Sequence, residues 1–91
     1  MEFEFDPEKS KMNEDKHGID FEEAQKLWLD PLRLVIPARS TTEPRFAFVA
    51  RLEGKVWSAF YTLRGATVRI ISVRPARDYE KRDYEIQEYN G

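Results

Sequence analysis

The sequence contains no cysteine, one histidine and four glycines among its 91 residues. Without cysteine, neither a disulfide nor a thiolate–metal staple can brace the fold. His17 stands alone, with no cluster of His, Asp and Glu at ligand spacing, so neither a protein-built metal site nor a cofactor is expected. No apolar run approaches the length of a membrane span. The opening MEFEFDPEKSK also lacks the basic start and apolar core of an export signal, so the expectation is a soluble cytoplasmic protein with no membrane partner. Repeats, low-complexity tracts and linkers are missing too. The chain reads as one domain over residues 1–91, small enough to bury only about two thirds of the surface that its unfolded form exposes.

Charge is plentiful but segregated. The net charge of −2 combines an acidic start, a basic middle and an acidic end. Residues 1–30 carry four lysines against ten Asp and Glu. Residues 31–78 carry nine basic residues, eight of them arginine, against Glu43, Glu53 and Asp78, and residues 79–91 carry two bases against four acids. A basic middle can bind phosphate, or it can be neutralised by its own acidic flanks. Charge alone favours the second.

The stretch Val56 to Ala76 organises the rest. Aromatic and β-branched residues fill two arms around Gly65-Ala66, and Pro75 stops the second arm, which predicts a β-hairpin with a type II′ turn. That turn would place Arg64 opposite Thr67, Thr62 opposite Arg69, Phe60 opposite Ile71 and Ser58 opposite Val73 on one face. The other face would pair Leu63 with Val68, Tyr61 with Ile70, Ala59 with Ser72 and Trp57 with Arg74. Both faces are largely apolar, so the hairpin should be covered on each side. Arg64, Arg69 and Arg74 nevertheless project from it and need a partner, either a carboxylate of the fold or a phosphate from outside.

Around this centre, Phe3-Glu4-Phe5 alternates as an edge strand. Asp6, Pro7 and Glu8 start a helix expected to reach His17, with Gly18 as its stop. Met12 is the one large apolar residue on that helix's stripe, so polar contacts or a partner must hold it. Asp20, with Glu23 three residues on, caps a second helix whose apolar stripe is Phe21, Ala24, Leu27 and Trp28, ended by Asp30-Pro31. Leu32–Ile36 and Arg45–Leu52 read as strands, with Ala38–Pro44 a mobile polar loop between them. A last helix, capped by Asp78, should run to about Tyr89 on a poor stripe of Ala76, Tyr79 and Ile86. The expected class is α+β: a small antiparallel sheet with two N-terminal helices and one C-terminal helix.

Motifs along nearly the whole chain resemble those of BrnT-type toxins. Phe3-Glu4-Phe5-Asp6-Pro7, Lys9, Asn13-x-x-Lys16-His17-Gly18 and Phe21-Glu22-Glu23-Ala24 are similar to the family's opening. Glu43-Pro44-Arg45-Phe46, Tyr61-Thr62-x-Arg64-Gly65, Arg69-Ile70-Ile71-Ser72-x-Arg74-x-Ala76 and Glu80-Lys81-x-x-Tyr84 follow in order. Phe5 stands where the family commonly has Trp, and Lys81 where it has Arg. The resemblance implies a RelE-like fold and a ribonuclease toxin of a type II toxin–antitoxin system that halts translation. It also implies a BrnA-like ribbon-helix-helix antitoxin as partner, expected as a 2:2 heterotetramer, with operator DNA reached only through the antitoxin.

Metal-free RNA cleavage needs a base for the 2′-OH, cations for the phosphorane and an acid for the 5′-oxygen. The candidate catalytic residues are Arg64, Arg69, Arg74 and His17, and the candidate RNA-binding residues are Lys16, Arg45, Tyr61 and Tyr84. Arginine suits the cationic task because its fork binds phosphate oxygens in pairs, and histidine titrates near neutrality. Five of them have a plain structural alternative: His17 as a helix-end cation, Arg74 stacked on Trp57 or paired with Glu80, Arg64 solvated beside its turn, Tyr84 in the core, and Lys16 with Asn13 bonding across the helix–sheet junction. A second function from a different class also fits, a non-catalytic binding module acting as a corepressor with a DNA-binding antitoxin.

Overall fold

The structure, a computed structural model, describes residues 1–39 and 42–90. Ser40 and Thr41 of the expected loop, and Gly91, lie outside the described residues. The chain forms β1 (Glu2–Glu4), α1 (Pro7–His17), α2 (Phe21–Ala24), a 3-10 helix (Gln25–Leu29), β2 (Leu34–Ile36), β3 (Phe46–Leu52), β4 (Lys55–Arg64), β5 (Thr67–Pro75) and α3 (Asp78–Asn90). The strands make one sheet in the order β1-β5-β4-β3-β2. The class is α+β.

The sheet departs from the purely antiparallel expectation. β1 runs parallel to β5, Glu2 facing Thr67 and Glu4 facing Arg69, so the sheet is mixed. The direction follows from what β1 leads into. α1 packs along the rest of the β5 edge, where the Val73 N–H donates to Asn13 Oδ1 at 3.2 Å, and β1 must enter from the end that leaves this room. The pair of N-terminal helices is also corrected. α1 has the predicted bounds, with the Asp6 carboxylate accepting from the Glu8 N–H and Gly18 at φ 83°. The second helix is a single α-turn that tightens into 3-10 winding. Asp30 causes this at the far end: its carboxylate accepts from the Leu32 and Arg51 backbone N–H groups, tying the chain to β3 before an α-helix can extend.

The central hairpin forms with Gly65 at φ 61°, the left-handed value a type II′ turn demands of its first residue. Four predicted pairs from Arg64–Thr67 to Tyr61–Ile70 are present. Beyond them a β-bulge at Ile71 shifts the register, so that Phe60 faces Ser72, Ala59 faces Val73, Ser58 faces Arg74 and Trp57 faces Pro75. The four pairs expected beyond Tyr61 are therefore wrong. Both faces of the hairpin are apolar, so hydrophobic alternation could not locate the slip. The bulge places Val73 in the core at no exposure and delivers Arg74 to a buried carboxylate.

The hairpin is covered on both sides, as predicted. Phe21, Ala24 and Leu27 pack on Phe48, Ala59, Ile70 and Val73, while Tyr84 of α3 packs with Val49 and Val56 on the other face. α3 does not use its expected stripe. Tyr79 and Ile86 are more than half exposed, and Glu80 and Tyr84 are the buried residues. Asp78 is its first helical residue rather than its cap. The Glu80 carboxylate reaches back instead, accepting from the Arg77 N–H at 2.9 Å.

Candidate functional site

Cross-strand partners share a sheet face. Arg69 faces Thr62, Arg74 faces Ser58, and Arg64 lies on that same side of β4, so the bulge brings all three arginines to the face that α3 covers. The expected separation of Arg74 from the other two assumed an unbroken register and is corrected here.

Each arginine is held differently. Arg69 Nη1 donates to Glu4 Oε2 at 2.9 Å across the β1–β5 pair. Arg74 makes a two-pronged pair with Glu80, at 2.7 and 3.0 Å, and its guanidinium lies 5.1 Å from the centre of the Phe60 ring. Phe60 is thus its stacking partner rather than Trp57, which carries the Lys55 ammonium at 4.5 Å. Arg64 is exposed and, among the described residues, has no ion pair. Glu80 is the anchor of this face, only 3% exposed, and it also accepts from the Ser58 hydroxyl at 2.9 Å. Burial pushes its carboxyl up, but the hydrogen bonds from Arg74, the Arg77 N–H and Ser58 outweigh burial and hold it at about 2.

Over this floor lies a groove of about 570 Å³ whose lining includes Arg39, Arg45, Arg77, Phe60 and Tyr79. Among the described residues Arg39, Arg45 and Arg77 have no ion pair, so the groove rim carries uncompensated positive charge. Its lining shares Ile71 and Ser72 with a neighbouring cleft that takes in Lys9, Lys16 and His17 of α1. The bulge is where the two meet.

α1 is positioned by polar contacts, which settles how a helix with so little apolar surface is held. Buried Asn13 donates to the Ile19 carbonyl at 2.8 Å and accepts from Val73, and the Ser10 hydroxyl accepts from the Phe21 N–H at 2.9 Å. Asn13 makes the junction expected of it and Lys16 stays exposed in the cleft. His17 is held below its ordinary value, first by burial and then by the positive charges of Lys16, Arg74 and Lys55. That field opposes the helix-end imidazolium and leaves a neutral ring at neutral pH.

The two tyrosines lie elsewhere. Tyr61 is on the opposite face, stacked with Phe46 at 5.5 Å and edge-on to Trp28 at 5.3 Å. Tyr84 is 1% exposed and donates its hydroxyl to Asp30 Oδ2 at 2.5 Å. Burial and that carboxylate push the phenol well above its usual range, which suits a structural post rather than an acid. Reading the chain alone missed Arg39, Arg77 and Tyr79. Their signal was faint: a basic residue in a loop, one before a helix, and an aromatic assigned to the helix stripe. Among the described residues, no group of three or more His, Cys, Asp or Glu side chains is arranged to hold a metal ion, and no helix is long and apolar enough to cross a membrane.

No curated protein matches the chain. Residues 5–80 match the family model described as the ribonuclease toxin, BrnT, of type II toxin–antitoxin systems. A basic groove and an isolated, neutral histidine accord with that description, and with most of its length matched the chain belongs to the BrnT family of type II toxin–antitoxin toxins.

Proposed function

We propose that this toxin is a metal-independent endoribonuclease on a RelE-like scaffold that arrests translation by cutting RNA. The observation that carries the reading is the bulge at Ile71, which gathers Arg64, Arg69 and Arg74 on one face beside Arg39, Arg45 and Arg77 of the groove. RNA phosphates run along this stripe, with Arg45 and Lys16 as further contacts. Neutral His17 takes the proton of a 2′-OH, whose oxygen attacks the adjacent phosphorus. The bond to the 5′-oxygen breaks as that oxygen is protonated from the other side, leaving a 2′,3′-cyclic phosphate and a 5′-hydroxyl end. Lys9 and Lys16 are the cations at hand for that second proton. Arg64 and Arg69 stabilise the phosphorane charge, and Arg74, held by Glu80, forms the floor beneath them.

The family implies an antitoxin partner. In this reading it is a BrnA-like ribbon-helix-helix protein bound in a 2:2 heterotetramer, and operator DNA is reached only through it. Phe46 and Leu63, exposed at 38% and 52%, are the kind of apolar surface that a tight partner covers. One observation favours the corepressor reading, in which the fold only binds: Arg51, Arg69 and Arg74 are paired with Glu88, Glu4 and Glu80 of the same chain. Incubating purified chain with RNA in excess chelator decides between them. Cleavage leaving cyclic phosphate ends, reduced a hundredfold or more by His17→Ala, is expected for the nuclease. Intact RNA in the presence of folded chain assigns the corepressor role.

A further inference from the structure

Resting on the reading of this face as an RNA groove, we infer that Arg74 and Tyr79 form a base-stacking site, so that the groove accepts unpaired nucleotides and rejects duplex. Arg74 is poorly placed to grip a phosphate. Both of its terminal nitrogens are committed to Glu80, at 2.7 and 3.0 Å, and Nη1 also reaches the Pro75 carbonyl at 3.3 Å. What it retains is a planar guanidinium centred over the Phe60 ring, 5.1 Å from its centre, with 22% of the side chain exposed. A planar cation held rigid from below offers its other face to a second π-system.

Tyr79 stands beside it, one residue before Glu80 in the first turn of α3. It is 52% exposed and, among the described residues, makes no ring contact or side-chain hydrogen bond, although it lines the groove. A large aromatic left bare beside Arg39, Arg45 and Arg77 matches the composition of single-strand binding sites. There, aromatic faces take bases while cations follow the backbone. Bases inside a duplex are stacked on one another and cannot enter.

The test uses three fluorescent probes of equal length with uncleavable 2′-O-methyl sugars: a single strand, the same strand in a duplex, and an abasic strand. By anisotropy, the single strand should bind about tenfold or more tighter than either of the others. Tyr79→Ala should weaken single-strand binding by about five- to a hundredfold without changing the melting temperature, and Tyr79→Phe should restore it. Binding of the abasic strand should be the same in both variants. Arg77→Ala should weaken all three probes alike. Equal affinity for strand and duplex, or a Tyr79→Ala protein that binds as tightly as the parent, overturns the stacking site and leaves the groove standing. Failure of the folded protein to bind any of the three overturns the groove as well.

Discussion

Glu80 shows how one residue serves stability and site together. Its folded value of about 2 lies below the ordinary carboxylate value of 4.5, so its contribution is fully present above pH 4.5 and is lost as pH falls towards 2. The shift corresponds to about 3 kcal/mol. Thermal melting of Glu80→Gln against the parent should therefore show a large deficit at neutral pH that shrinks as the solution is acidified through this window. Parallel curves at every pH would remove the assignment. The arginines separate in a different way. Arg69→Lys keeps one contact to a half-exposed Glu4, and its melting should change by less than about 1 kcal/mol, as should that of exposed Arg64→Lys. If their forks bind the phosphorane, each substitution still lowers cleavage by about a hundredfold, because charge is kept and paired geometry lost. Variants that are folded and fully active would strip both residues of that role.

Among the elements, α1 and α3 share a design in which hydrogen bonds replace apolar contact. α3 is tied by Glu80, by Tyr84 to Asp30, by Gln87 to the Leu32 carbonyl at 2.6 Å, and by Glu88 to Arg51 at 2.9 and 3.0 Å. α1 depends on Asn13. Asn13→Ala would leave the Val73 N–H and the Ile19 carbonyl buried without partners, a loss of about 2–4 kcal/mol read from denaturant unfolding. Asn13→Asp keeps the acceptor for the Val73 N–H but turns a buried carboxylate oxygen towards the Ile19 carbonyl, so it should lose at least as much at neutral pH. Because α1 carries His17 and Lys16, both variants should also reduce cleavage per folded molecule. Unchanged stability in Asn13→Ala would mean that apolar packing, not this junction, seats the helix. His17 supplies the matching pH signature. With its value lowered on folding, it costs stability as pH drops below about 6.5, and cleavage should fall over the same range as the base protonates.

At the scale of the whole molecule, an acidic protein presents a basic face, because three sheet arginines are neutralised internally and, among the described residues, the rim arginines have no ion pair. RNA binding should therefore weaken steeply with added salt despite the net charge of −2. Induced alone, the chain should stop bacterial growth, and its antitoxin should restore it. Light scattering of the purified pair should give the mass of two copies of each chain. A stable 1:1 complex would rule out the tetramer.

Composition and local pattern determined a great deal: the α+β class, the bounds of α1 from Asp6, Pro7 and Gly18, the hairpin about Gly65, and a family likeness spread over most of the chain. These were legible because caps, turn residues and apolar runs act over a few residues. The Ile71 bulge, the parallel entry of β1 and the 3-10 winding before Asp30 were not, since each is set by partners distant in sequence. The site followed the same division. His17, Arg64 and Arg69 stood out by chemistry alone, while the spending of the Arg74 fork on Glu80 and the exposure of Tyr79 beside it were decided only when α3 folded back onto the bulged strand. A slip of one residue changes which face every later side chain occupies, and packing rather than local pattern chooses between two apolar faces.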